Sequence, residues 1–452
     1  MKITFYGGAK SVTGSNYLLE SDNSKILIDC GLFQAGSFSY EKQNFEPFHY
    51  DPKSIDAVLV THAHIDHTGR LPLLYKTGFR GKIFSTQPTK DFAEQLLIDS
   101  EHLINKEVLE KGRPAFYTLE DINGTLKLWE KKSYHEKFAI KDFEIEFFDA
   151  GHILGSAFIA VSNGGKKIVF SGDLGNVPAP LVKDTEIIDG ADYAVIESTY
   201  GNRTHEEAEK RKDVLEDSIE DTVKSKGTMI IPAFAMERTQ ELLYELNDLV
   251  EHGRIPPVPI FVDSPLAIRL TSVYKKYSEN PEYFDQEAIT LMRKGDKIFD
   301  FPRLKLTLTT EQSKEINNVP SPKVIIAGSG MSQGGRILHH EHRYLPDPNS
   351  TILFIGYQAK NSPGRQILDG AKSIKIFGEK IPVLCKVKSI SGYSAHADQP
   401  LLLNWLKNMR NSLKKVFVVQ GEEDQMVPFA QKVMDDLAID AVIPDENQSF
   451  VL

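Results

Sequence analysis

The sequence predicts an α/β protein, and three observations carry that reading. Residues 1–200 hold short runs rich in Val, Ile, Phe and Tyr, each bounded by Gly, Asn, Asp or Ser, the pattern of strands separated by turns. After Gly201 apolar runs alternate with stretches of helical spacing, which argues for a parallel α/β unit. The composition, 41% hydrophobic and 26% charged over 452 residues, can build a core and excludes disorder as a description of the whole chain.

Element by element, strands are expected at Ile3–Tyr6, Tyr17–Leu19, Lys25–Asp29, Ala57–Thr61, Lys82–Ser85, Phe143–Asp149, Ala157–Val161, Lys167–Ser171 and Tyr193–Glu197. Phe92, Leu96, Leu97, Leu103 and Ile104 share one helical face, which predicts a helix over 88–109. A second follows over 118–128. A charged helix over 205–224 leads into the apolar run Thr228–Ile231, a helix over 237–249, a strand at Pro259–Val262 and a helix over 265–277. Lys323–Ala327 and Thr351–Ile355 read as buried strands on either side of a helix over 334–343. The tail returns to strand, helix, strand, helix over 387–390, 401–409, 416–419 and 429–437. Residues 1–204 are therefore expected to begin one domain, 205–384 to form a second inserted into it, and 385–452 to complete the first.

There are 53 Lys and Arg against 63 Asp and Glu, a formal charge of −10. A globally basic nucleic-acid coat is excluded; a local basic path is not, and Lys360, Arg365, Lys372, Lys375, Lys386 and Lys388 offer one. Two cysteines, Cys30 and Cys385, cannot make a disulfide framework. No apolar run reaches the ~20 residues of a membrane span and no secretion signal is evident. A cytoplasmic protein without a membrane partner is the expectation.

The chemistry concentrates in Thr61-His62-Ala63-His64-Ile65-Asp66-His67-Thr68-Gly69, directly after an apolar strand. Imidazole and carboxylate are the ligand types suited to zinc and similar divalent ions, and a loop at a strand's end can aim closely spaced side chains into one cavity. His62 and His64 could face one ion, and Asp66 and His67 a second beside it. His152, after the strand 143–149, and Asp173, in Ser171-Gly172-Asp173-Leu174-Gly175, are further candidates; a carboxylate with two oxygens could bridge a metal pair.

Asp29 at a strand end, the HxHxDH run, His152 and Asp173 together resemble the metallo-β-lactamase superfamily. Glu197-Ser198-Thr199-Tyr200-Gly201, Gly328-Ser329-Gly330-Met331, Gly356-Tyr357-Gln358-Ala359 and Ser394-Ala395-His396-Ala397-Asp398 are similar to motifs of its β-CASP subfamily. The resemblance covers essentially the whole chain. It is greatest to bacterial relatives of the nuclease subunit of the cleavage and polyadenylation specificity factor. It implies an αββα metallo-β-lactamase sandwich with an inserted parallel α/β β-CASP domain that roofs the site. It implies a zinc-dependent ribonuclease that hydrolyses phosphodiester bonds of single-stranded RNA through a metal-bound hydroxide in the cleft between the two domains, with DNA left open as substrate and a homodimer compatible.

Carried over by match, His62, His64, His152 and Asp173 would hold one zinc, and Asp66, His67 and Asp173 the other. Manganese is the alternative ion. The implied catalytic residues are Asp66, His396, Glu197 and Asp29: Asp29 would orient a ligand, and Glu197 would pair with His396, which would serve the scissile phosphate or its leaving oxygen. One position departs from the pattern. Gln420 stands where the family places a His, in Val419-Gln420-Gly421-Glu422, and a neutral amide is a weak zinc ligand. The second ion is therefore expected to bind less tightly. Two other functions share the motifs: hydrolysis of a small ester or thioester, since a superfold does not fix function, and a catalytically weak nucleic-acid-binding subunit.

Overall fold

A computed structural model describes residues 1–34, 42–110, 112–205, 210–356, 358–359, 361–390 and 393–452, with the side chain of Glu107 left aside. Tyr357 and Lys360, singled out above, lie outside the described residues, as do 206–209 of the expected helix over 205–224.

The chain divides into two compact units. One contains residues up to 204 together with 395–452, and the other runs over 205–394. The first unit is built on two seven-stranded sheets. In spatial order the first sheet is Ser449–Val451, Lys2–Gly7, Asn16–Glu20, Lys25–Ile28, Ala57–Leu59, Lys82–Ser85 and Trp129–Lys131. The second is Asp440–Val442, Lys415–Val419, Tyr193–Glu197, Lys166–Phe170, Ala157–Asn163, Phe143–Asp149 and Phe138–Ile140. Alternation along the strands sends one set of side chains between the sheets: Ile3, Phe5, Leu19, Ile28 and Leu59 meet Phe147, Ile159, Phe170 and Phe417 there. The other faces are also buried. Phe158, Val169, Ile196 and Val418 pack beneath Leu402, Trp405, Phe429 and Val433 of the helices Gln399–Lys407 and Glu423–Leu437. Each fully buried aliphatic or aromatic side chain contributes about 1.5–3 kcal/mol, so this double burial is what fixes an αββα sandwich.

The second unit holds a six-stranded sheet in the order Leu304–Leu306, Ile260–Val262, Lys323–Ala327, Thr228–Pro232, Thr351–Phe354 and Lys386–Ser389, with every neighbouring pair parallel. Its central strands are buried along their whole length, as a parallel sheet covered on both faces requires.

Three elements differ from the sequence reading. The sequence pattern puts the return to the first domain at 385, yet Lys386–Ser389 is an edge strand of the second unit's sheet, pairing with Thr351–Phe354, and the first unit resumes at Ala395. Nothing local in Lys-Val-Lys-Ser says which sheet will take it; its alternating lysines, one exposed and one half-buried, are what an edge strand tolerates. The helix expected from 429 begins at Glu423 and carries Pro428 inside it. Proline lacks the N–H that would bond Asp424 O, and that carbonyl accepts from Asn202 Nδ2 instead, at 3.4 Å. The hairpin Ser373–Ile376 with Glu379–Pro382 has no counterpart among the expected elements. Cys30 and Cys385 are both buried, and burial pushes the Cys30 thiol up to about 12.

The second unit also buries an acid. Glu237 precedes the helix Arg238–Glu251 at φ +66 and is 2% exposed. Its Oε2 accepts the Tyr274 hydroxyl at 2.7 Å, while Oε1 has no hydrogen-bond partner. Burial first, then the neighbouring Glu241 carboxylate, push its pKa from 4.5 to about 8. Between those values the folded chain keeps a proton that the unfolded chain has released, so this group lowers stability progressively as pH rises from 4.5 to about 8. Glu237→Gln is expected to stabilise the protein, with a gain that grows across that window. Urea unfolding at each end of it measures the difference, and an equal gain at both ends would contradict the buried-acid account.

Candidate metal centre

The site lies wholly in the first unit, where loops leave the strand ends of both sheets. The strand Ala57–Leu59 delivers Thr61–Asp66, Phe143–Asp149 delivers His152, and Lys166–Phe170 delivers Asp173. Close backbone packing holds these loops: a Cβ on Gly31 would sit 1.5 Å from Asp66 O, and one on Gly175 would sit 2.0 Å from Gly151 O. Only glycine permits either approach.

His62, His64, His152 and Asp173 each aim one ligand atom into a common space, all within 4.8 Å of one another. His62 Nε2 is 2.9 Å from His64 Nδ1, which is 3.2 Å from His152 Nε2. Asp173 Oδ2 lies 3.4 Å from His62 Nε2 and 3.6 Å from His152 Nε2. Zinc–nitrogen bonds of about 2.0–2.1 Å in a tetrahedron separate ligand atoms by about 3.3 Å, so the four side chains fit such an ion. Their protonation also fits. Burial holds His64 and His152 well below 6.5, in the neutral form a ligand needs. Burial would raise Asp173, but the imidazoles of His67 and His62 hold it well below 3.8. His152 Nδ1 lies 3.2 Å from Ala395 O, a partner that turns Nε2 inward.

Asp66 and His67 stand beside this cluster. His67 Nε2 is 3.3 Å from Asp173 Oδ1 and 3.9 Å from Asp66 Oδ2, and burial raises the Asp66 carboxyl. Behind His67, Nδ1 is 2.7 Å from Asp29 Oδ2. Asp29 is fully buried at φ +60 and also accepts Thr61 N at 2.8 Å, the Thr61 hydroxyl at 2.9 Å and the Ser15 hydroxyl at 3.2 Å. Gln420, at φ +48, places its amide nitrogen 2.9 Å from His67 Nε2 and 3.0 Å from Asp173 Oδ1. Burial lowers the His67 pKa, and the Asp173 and Asp29 carboxylates raise it by more. An amide N–H pointed at Nε2 requires the neutral ring, so that hydrogen bond and an imidazolium exclude one another. The surplus of carboxylates here calls for a cation, which either a proton on His67 or a metal supplies.

Asp173, Glu197 and His396 form a second convergent group. Glu197 is fully buried; its Oε1 accepts Leu174 N at 2.7 Å and its Oε2 lies 3.2 Å from His396 Nδ1. Residues 395–397 bond to the loop after Asp173 through Asn176 N to Ala395 O and Ala397 N to Leu174 O, at 2.9 and 2.8 Å. That short bridge fixes His396, and Asp398 caps the helix that follows. Every site residue expected from the sequence is thus brought to one end of the sandwich. Sequence reasoning missed Thr61, whose hydroxyl bonds Asp29 and lies 3.1 Å from His62 Nδ1 and 3.3 Å from His67 Nδ1. Its position at the head of the histidine run was the available signal.

The other features separate out. In the turn over 328–335, Ser329 Oγ accepts the amides of Gln333 and Gly334 at 3.0 and 3.2 Å, so those two N–H groups serve the turn itself. His340 Nε2 lies 2.7 Å from buried Asp263 Oδ2, a structural partner. Among the described residues no helix is long and apolar enough to cross a membrane.

Residues 18–191 match the metallo-beta-lactamase superfamily domain, residues 239–367 the Beta-Casp domain, and residues 380–444 the Zn-dependent metallo-hydrolase RNA specificity domain. A ribonuclease from Thermus thermophilus is 37% identical over 428 residues, 94% of each chain. An RNase J-like protein from Methanocaldococcus jannaschii is 33% identical, covering 98% of this chain and 97% of that protein. The transcription termination factor FttA from Methanosarcina mazei is 33% identical over 97% of this chain and 70% of its own length. A solved structure of a protein of unknown function from Enterococcus faecalis V583 shares the fold at TM-score 0.58 and 11% identity, over 100% of this chain and 99% of that one.

Thr61→Val keeps the shape of the side chain and removes its hydroxyl from between Asp29, His62 and His67. Loss of such a supporting hydrogen bond typically weakens metal affinity by about 10–100-fold. Chelator competition should show that drop without a change in fold by circular dichroism; unchanged affinity would mean the hydroxyl only packs.

Proposed function

This chain belongs to the metallo-beta-lactamase superfamily, in the group that carries a Beta-Casp domain, and from that membership we propose that it hydrolyses phosphodiester bonds of single-stranded RNA with zinc held by His62, His64, His152 and Asp173. The observation that carries the reading is the adjacency of two convergent groups, the four-ligand cluster and the Asp173–Glu197–His396 group, which share one carboxylate. A ligand set alone suits many hydrolases; a buried carboxylate paired with an imidazole beside it adds the acid that a poor alkoxide leaving group needs. Relatives bearing ribonuclease names support RNA as the polymer.

When bound, zinc supplies Lewis acidity and makes water a nucleophile at neutral pH. The chain's own groups do the rest. Asp66, partly open to solvent at 20% and raised by burial, is placed to take the proton of the attacking water. His396 faces Glu197 with Nδ1, so the proton it delivers to the leaving oxygen sits on Nε2. Glu197 holds that tautomer and the orientation of the ring. Asp29 and Thr61 keep His67 in register.

Gln420 makes the second ion the weaker one, because its amide nitrogen bonds the same His67 and Asp173 atoms that the ion would take. Zinc titration of the metal-free protein should give one tight site, and Gln420→His should add a second; two equally tight sites in the unaltered chain would refute the weakened site.

A time course on end-labelled single-stranded RNA and on DNA of the same sequence, with zinc or manganese supplied, tests the activity. RNA is expected to be cut, and Asp66→Ala to abolish the cutting. His396→Ala should lower kcat by about 10²–10⁴ with metal content unchanged. Turnover of small thioesters with RNA left intact would assign the site to a small-molecule hydrolase.

A further inference from the structure

The hairpin of the second unit joins Ser373–Ile376 to Glu379–Pro382 through Phe377 and Gly378, at φ +51 and +86. A two-residue turn with both residues left-handed favours Asn-Gly. Phe at the first position is strained, and its side chain is 57% exposed. The fold does not need the ring: Ile374, Ile376 and Ile381 already anchor the hairpin to the core. On the outward face Lys375 stands directly opposite Lys380, a like-charge pair that opposes strand pairing. Neither lysine has an acidic partner among the described residues. The His339 ring lies 4.7 Å from the Phe377 ring, tilted by 35°, and His342, 6.3 Å from it, engages the one acid of the tip, Glu379, at 3.1 Å.

The rest of the basic segment is otherwise engaged. Arg365 pairs with Asp369, Lys388 with Asp221, and Lys386 donates to the Ser225 hydroxyl. Among the described residues this leaves Lys372, Lys375 and Lys380 on or beside the hairpin that carries the exposed Phe377 ring, on a protein of net charge −10. A strained turn, an exposed ring and a repulsive pair each oppose stability, and all three suit one ligand. An unstacked base lies on an aromatic face while lysines take its flanking phosphates. A duplex cannot offer its base faces this way.

We propose that Phe377, backed by His339 and flanked by Lys375 and Lys380, is a stacking platform for single-stranded RNA, built from residues other than those of the metal centre. The proposal rests on the reading of RNA as substrate and names where the strand is gripped.

The test measures anisotropy of a fluorescein-labelled oligouridylate RNA with the full chain in an Asp66→Ala background, so that binding is read apart from cleavage. Phe377→Asn should weaken binding by roughly five- to 150-fold, the range one stacked base supplies, with an equal or higher Tm because Asn suits the turn. Phe377→Trp should keep the affinity. The double change Lys375→Ala and Lys380→Ala should lower the slope of log Kd against log salt by about 0.7 for each phosphate left without its lysine. An unchanged Kd in Phe377→Asn overturns the platform. So does an equal loss in Phe377→Trp, or displacement by polyglutamate as effective as by unlabelled RNA. If the unaltered enzyme cuts no RNA while these affinities shift as described, the cleavage reading fails and the platform stands.

Discussion

Four carboxylates, those of Asp29, Asp66, Asp173 and Glu197, are held at one end of the sandwich among five imidazoles, with three of the acids fully or almost fully buried. Removing such charges from water is expensive unless each finds a partner. Every local choice at this end answers that cost. Asp29 takes two N–H or O–H donors from Thr61, one from Ser15 and the His67 ring; Asp173 takes the imidazoles on one side and the Gln420 amide on the other; Glu197 takes a backbone amide and His396. The ring of donors leaves a single set of lone pairs pointing inward, which is what a divalent cation requires.

The sandwich makes this arrangement possible because its two sheets end together. Strands from both sheets terminate in loops at the same edge, and side chains far apart in sequence meet without any loop having to span a long distance. His62 and His64 come from one sheet, His152 and Asp173 from the other, and His396 from a segment that re-enters the unit beside the Asp173 loop. The backbone bonds between 395–397 and 174–176 couple the segment that carries His396 to the loop that carries Asp173. A shift in either is felt by the other.

Gln420 shows how a neutral amide serves a crowded buried site. The amide nitrogen has no lone pair to offer a metal, and it lies within hydrogen-bond distance of both His67 Nε2 and Asp173 Oδ1. The carboxylate and the ring remain satisfied, and the loop keeps its left-handed backbone at this residue.

The sequence by itself determined the α/β class, the approximate places of most strands and the candidate ligand types. Hydrophobic runs and turn residues are local signals, and three imidazoles with a carboxylate in six residues leave little else for that loop to do. Glu197 and His396 were also legible as motifs. What only the tertiary structure decided is everything that depends on pairing at a distance. Lys386–Ser389 joins the second unit because its backbone finds the Thr351–Phe354 edge, not because of any residue it carries. Thr61 matters because folding sets its hydroxyl between Asp29 and two imidazoles. Phe377 is conspicuous only once the turn places it at positive φ with its ring in solvent. Side-chain chemistry is written in the chain one residue at a time, whereas proximity is a property of the packed whole.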